Sequence, residues 1–284
     1  MKQKSLLRMS GEVVWYMVVF LLIQIFVTYA VSIAEVLIAG GDMKSIAANG
    51  GASLKEISTT GLIVSNIVSS LITILIFLRA KWTLWSRDYL ASRPWGVVFW
   101  VIILSFGLVI PSMWMQEQLH LEMPEAVEKM FTDMCSTPYG YFTLAILAPW
   151  AEEVVFRGAI LRQLLKIFSR QMHWIPIVIS AVIFGAAHMN MAQGANAALL
   201  GLLLGWMYYR TDSIFPGIVF HWSNNTIAYI VTRLRPDLAD ASLTDICGGD
   251  ANKALLYVGF SMLIVLPALF QLFMRLKRGK EVNR

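Results

Sequence analysis

Apolar residues run in long blocks along this chain, and polar residues collect between them. A helix that crosses a bilayer needs roughly 20 mostly apolar residues. Eight stretches approach that measure: 12–38, 61–79, 95–115, 139–160, 174–190, 195–210, 214–233 and 254–276. The first opens Val13-Val14-Trp15-Tyr16 and continues through Phe20-Leu21-Leu22-Ile23. It is longer than the apolar core of a secretory signal, about 7–15 residues, and no small-residue cleavage site closes it promptly, so it reads as an uncleaved helix. Only Met189 to Gly194 separate the fifth and sixth stretches, a tight pair. The pattern predicts an all-α, polytopic membrane protein of about eight transmembrane helices, forming one membrane domain over residues 1–284.

The longest hydrophilic stretches, 40–60, 116–138 and 234–253, are each too small to build a core of their own. The second carries Glu117, Glu122, Glu125, Glu128 and Asp133, spaced as for a short amphipathic helix on the outer face. Composition agrees: 57% of the 284 residues are hydrophobic and 14% charged, against roughly a quarter charged in a soluble domain. The net charge of +5 has a topological reading. With an even number of spans and both termini in the cytoplasm, most of the 23 cations fall on inner segments, from Lys2, Lys4 and Arg8 to the tail Arg278, Lys280 and Arg284. Only Lys44, Lys55, Lys129, Arg233, Arg235 and Lys253 fall outside, the bias expected of cytoplasmic loops. A nucleic-acid partner would need a concentrated basic patch with aromatic readers, and the sequence has none. Cys135 and Cys247 both fall in outer segments, where a disulfide and two unpaired thiols are equally compatible with the sequence.

Charges inside a spanning helix cost several kcal/mol unless paired or hydrated, so the few that occur are informative. The fourth span reads Pro149-Trp150-Ala151-Glu152-Glu153-Val154-Val155-Phe156-Arg157-Gly158. Glu153 and Arg157 stand four apart and can pair along one helix face. Glu152 is rotated about 100° away and is free to face a cavity. The fifth ends in Phe184-Gly185-Ala186-Ala187-His188, where the small residues permit close approach of a helix or substrate. In the seventh, His221 and Asn225 are again four apart and share a face. Each group has a plainer reading, as a structural ion-pair network or as hydrogen bonds between helices.

Together they supply what peptide hydrolysis needs. A carboxylate and a histidine can activate water, and a second histidine with an asparagine can stabilise an oxyanion. Other intramembrane chemistries fit worse, since GxSG, HExxH and GxGD are all absent. No CxxC or Cys/His metal cluster appears either.

Three motifs, Glu152-Glu153-x-x-x-Arg157, Phe184-x-x-x-His188 and His221-x-x-x-Asn225, resemble in order and placement those of the CPBP family, the CAAX protease and bacteriocin-processing group also called Abi. That group includes the type II CAAX prenyl endopeptidases. The resemblance covers about 139–230, within a catalytic core of about 139–233, and the remaining spans match only as generic helices. It implies an intramembrane endopeptidase in which Glu152 activates water with His188 while His221 and Asn225 hold the oxyanion. Glu153 and Arg157 become supporting residues. No cofactor is required on that reading. A zinc-dependent version would use Glu152, His188 and His221 with water as fourth ligand. The expected setting is a bacterial or archaeal cell membrane, with lipid and a protein or peptide substrate as partners. The rivals are an ion or proton transporter and a non-catalytic immunity protein, although no internal repeat of the transporter kind is visible.

One point of depth needs resolving. His221 lies a few residues from the inner end of its span, whereas His188 lies about 14 residues, or roughly 21 Å, beyond Trp174. They share a depth only if the fifth helix tilts or begins in the cytoplasm. The amphipathic run 157–171 suggests that the fourth helix continues into the cytoplasm.

Overall fold

The computed structural model describes residues 2–42, 57–238 and 241–277, with side chains from Leu7 onward. Lys44, Lys55, most of the stretch 40–60, the tail cations Arg278, Lys280 and Arg284, and the side chains of Lys2 and Lys4 lie outside that description.

Helices form wherever the apolar blocks predict them, and no strand occurs among the described residues. They are α1 (Lys2–Ile38), α2 (Thr59–Arg79), a short α3 (Arg87–Ala91) and α4 (Trp95–Gln118). The acidic loop contains α5 (Glu125–Cys135), the helix expected there. A continuous helical run over 138–167 is α6. The helices α7 (Trp174–Ala186), α8 (Met191–Thr211) and α9 (Phe215–Leu234) follow, then a short α10 (Leu243–Ile246) and α11 (Ala251–Arg275). Four of them, α1, α2, α4 and α11, are long and apolar enough to cross a membrane. They leave many large apolar side chains outward, such as Phe26, Leu75, Phe106 and Leu263. Apolar exposure on that scale belongs against lipid. Cys135 and Cys247 are both buried, and neither is in a disulfide.

The motif-bearing helices α6 to α9 pack differently, on small residues. Along the α7–α8 hairpin, a Cβ added at Gly185 would meet the Gly194 carbonyl oxygen at 2.5 Å, and one at Gly201 would meet Ala181 at 3.1 Å. At Gly205 it would meet Ile177 at 2.9 Å. The two backbones therefore lie in contact along the hairpin, the close approach that small residues permit. Helix α6 runs through the core, with Val154, Val155, Phe156, Ile160 and Leu161 all buried. Around it sit Phe20 of α1, Phe184 of α7 and Leu204 of α8.

The start of α9 bears on the depth of His221. Ser213 and Ile214 in the α8–α9 turn are buried rather than set in a surface loop. A Cβ at Gly217 would lie 3.6 Å from Leu204. Leu204 is seven residues, about 10 Å, before the end of α8, while Gly217 is only two residues into α9. So α9 begins inside the protein body, and His221, a turn and a half along it, reaches the middle. Helix α7 is short, its 13 residues spanning about 20 Å, and His188 lies just past its end, half-buried beside the exposed Met189.

Candidate active site

Helix α6 is not a regular α-helix. It holds two π-helical stretches, Phe142–Leu147 and Glu153–Leu161, a form rare elsewhere and frequent at functional sites. Pro149 accounts for the first. In an α-helix the Ala148 N–H would donate to Leu144, but here it donates to the Thr143 oxygen. The next residue, Pro149, has no N–H to offer. The Leu144 carbonyl is thus left without a helical donor, and Asn225 of α9 supplies one, Nδ2 to O at 2.9 Å. Side chains from other elements also donate to the second stretch. Thr83 Oγ1 bonds the Val154 oxygen at 2.5 Å and Ser180 Oγ the Phe156 oxygen at 3.0 Å. Gly158 makes room for Thr83, whose Cγ2 would lie 2.2 Å from an added Cβ.

The two adjacent glutamates meet different fates. Glu153 is fully buried and holds Arg157 at 2.9 Å, Nη1 to Oε1. Arg157, itself 1% exposed, also lies over the Phe184 ring with its guanidinium carbon 4.2 Å from the centroid. Glu152 is 25% exposed along its side chain. His221 reaches both, with Nε2 3.6 Å from Glu152 Oε2 and Nδ1 3.5 Å from Glu153 Oε1. Bare Gly217 brings α9 this close, since a Cβ there would stand 2.5 Å from Glu153 Oε2.

His188 sits in the α7–α8 turn. Its Nδ1 is 3.0 Å from the Phe184 oxygen. A carbonyl only accepts, so Nδ1 donates, and Nε2 of the neutral ring is left as the basic nitrogen. Asn190 fixes this turn, accepting from the Gln193 N–H at 2.9 Å as the α8 cap and donating to the His188 carbonyl at 3.0 Å. The Phe184 ring links the two histidines, with centroids 5.1 Å from His188 and 5.8 Å from His221. Among the described residues, the histidine within ion-pair distance of Glu152 is His221 rather than His188. Asn225 spends one amide N–H on Leu144 and keeps a second. Asn224 Nδ2 lies 3.4 Å from its amide oxygen and orients the group.

All six residues singled out from the sequence thus occupy one region where α6, α7 and α9 meet. Sequence reasoning missed the supports: Pro149, Thr83, Ser180 and Asn190. Pro149 was the available signal, because a proline inside a helical run always displaces backbone hydrogen bonds. Among the described residues, no three His, Cys, Asp or Glu side chains converge as a metal-ligand group.

No curated protein and no solved structure matches the chain. One family model does, over residues 135–227, and it describes the Rce1-like type II CAAX prenyl endopeptidases. The matched stretch takes in Glu152, Glu153, Arg157, His188, His221 and Asn225, and through it the chain is similar to the intramembrane CAAX-type proteases, the group that its three motifs resemble.

Proposed function

We propose that this protein is a membrane-embedded endopeptidase of about eight spans with both termini in the cytoplasm, cleaving a protein or peptide through a metal-free glutamate mechanism. The observation that carries the reading is the division between the two glutamates. Glu153 is sealed against Arg157, whereas Glu152 keeps solvent access and lies against His221. Only Glu152 can receive a water molecule. Its carboxylate takes the proton as the water oxygen attacks the scissile carbonyl, and the basic Nε2 of His188 orients that water by accepting a hydrogen bond from it. Negative charge then develops on the carbonyl oxygen, where a donating His221 and the second amide N–H of Asn225 stabilise it, until the C–N bond breaks and Glu152 passes the proton to the departing amine nitrogen. The Glu153–Arg157 pair holds α6 in place behind the His221 ring.

The test is cleavage of a peptide library by purified protein in liposomes. Activity should survive chelation and disappear in Glu152→Gln, which removes the base and keeps the shape. Chelation that abolishes cleavage, with zinc restoring it, would overturn the metal-free mechanism. Parent protein that cleaves nothing while transporting ions or protons would overturn the protease reading itself.

A further inference from the structure

The segment between α2 and α3, residues 81–85, lies along α6 and meets it at four levels. Arg162 Nη1 donates to the Trp82 oxygen at 3.0 Å. A Cβ added at Gly158 would strike Thr83 Cγ2, and Thr83 Oγ1 donates to the Val154 oxygen. The Trp85 ring stacks on Trp150 with centroids 5.9 Å apart. The segment itself is held firmly. Lys81 takes the left-handed backbone at φ +58°, and the Trp82 and Thr83 N–H groups both donate to the Phe77 oxygen, at 3.0 and 3.2 Å. The Trp82 ring packs against Tyr16 and Phe77, each with its centroid 5.0 Å away. Thr83 is buried between this segment and α6.

These contacts fall at positions 150, 154, 158 and 162 of α6, spaced four apart. In a regular α-helix each residue turns about 100°, so positions 150 and 162 would diverge by about 120°. The wider i→i+5 turn of Glu153–Leu161 advances less per residue and keeps the four in line. Contact along 81–85 and π winding therefore go together. Beyond the π stretch, α6 is anchored by Arg162 on Trp82 and by Gln163 Nε2 on Glu12 at 2.6 Å. Relaxation to α winding would swing everything before the stretch about the helix axis relative to that anchor, Glu152 included. From the segment 81–85, the Thr83 hydroxyl is the group that donates to a carbonyl inside the π stretch. We infer that Thr83 is a positioning residue: its hydroxyl holds the π winding of α6 and thereby turns the Glu152 carboxylate toward the opening and His221. The inference deepens the protease reading, in which Glu152 is the base, yet the direction of position 152 is measurable without any cleavage.

Thiol labelling of the purified full-length protein supplies that measurement. In Glu152→Cys the new thiol stands in the opening while both native cysteines are buried, so its rate of reaction with a maleimide reports where position 152 points. Adding Thr83→Val, which keeps the shape and removes the hydroxyl, should slow labelling about fivefold or more, because access limits the reaction. Adding Thr83→Ser, which keeps the hydroxyl, should leave the rate within about twofold. Gly158→Ala retains Thr83 but crowds its methyl at 2.2 Å, and should slow labelling as Thr83→Val does. With Glu152 in place, Thr83→Val should lower kcat about tenfold or more and leave KM within about twofold, as a misdirected catalytic group does. Thr83→Ser should restore kcat. Labelling as fast as in Glu152→Cys alone with either Thr83→Val or Gly158→Ala, or slowed as much by Thr83→Ser, would overturn the positioning role. Slowed labelling with kcat unchanged, or with a parent protein that cleaves nothing, would keep that role and overturn Glu152 as the base.

Discussion

At the residue scale, two identical neighbours in sequence have been given opposite environments, and rotation around one helix does most of it. Glu153 faces the core and its own Arg157, and Glu152 faces the opening toward His221. The first relationship was legible because spacing along one helix determines it. The second was not, because it depends on how deep α9 starts, and nothing local in the sequence encodes a buried turn at Ser213 and Ile214. Phe184 shows the same limit. It was visible as part of a motif, but its place among Arg157, His188 and His221 exists only in the packed structure. The pair itself can be tested. Glu153→Gln leaves Arg157 buried without a counter-charge and should cost about 3–5 kcal/mol of stability. Adding Arg157→Met removes the stranded charge, so thermal unfolding of the double variant should recover a clear part of that loss. No recovery would mean that the two charges do not stabilise one another.

At the element scale, the existence of the long helices followed from the apolar blocks, and their limits did within a few residues except at α1, which begins at Lys2 rather than 12, while the winding of α6 did not. Hydrophobic periodicity does not separate α from π turns when a segment is buried all round, as 153–161 is. The proline was the one local sign. Pro149 shifts the preceding turn out of α register and leaves the Leu144 carbonyl for Asn225, so a helix defect sets the position of a proposed oxyanion donor. Pro149→Ala would restore an N–H able to reach the Ala145 oxygen and let the turn relax to α-helix. A proline in a helix interior costs about 3 kcal/mol or more, so the variant should unfold at an equal or higher temperature. Its turnover should nonetheless fall by about tenfold or more, because Leu144 no longer anchors Asn225. Higher stability with unchanged turnover would show that the π turn is incidental to the site. Asn225→Ala gives the reference value, since losing one oxyanion donor lowers turnover roughly 10²–10³-fold.

At the scale of the whole molecule, the eight predicted stretches separate into two kinds. The helices α1, α2, α4 and α11 meet the length and apolarity of independent spans, whereas α6 to α9 carry the polar residues and pack on glycine and alanine. This division has a physical reason, because a helix that presents glutamate, histidine and asparagine needs neighbours, and the strongly apolar helices supply that cover. The charge bias then predicts how the assembly is oriented. Single cysteines introduced at the exposed positions Arg87 and Glu122 should label with a membrane-impermeant maleimide from opposite sides, Arg87→Cys from the cytoplasm and Glu122→Cys from outside. The native thiols give a quiet background. Cys135 is 1% exposed and Cys247 8% exposed, and burial pushes the Cys135 thiol up to about 11, so at neutral pH almost none of it is the reactive thiolate. Reaction at Glu122→Cys from the cytoplasmic side would invert the bundle. Arg162, Lys166 and Arg170 would then face the exterior, against the cation bias from which the orientation was derived.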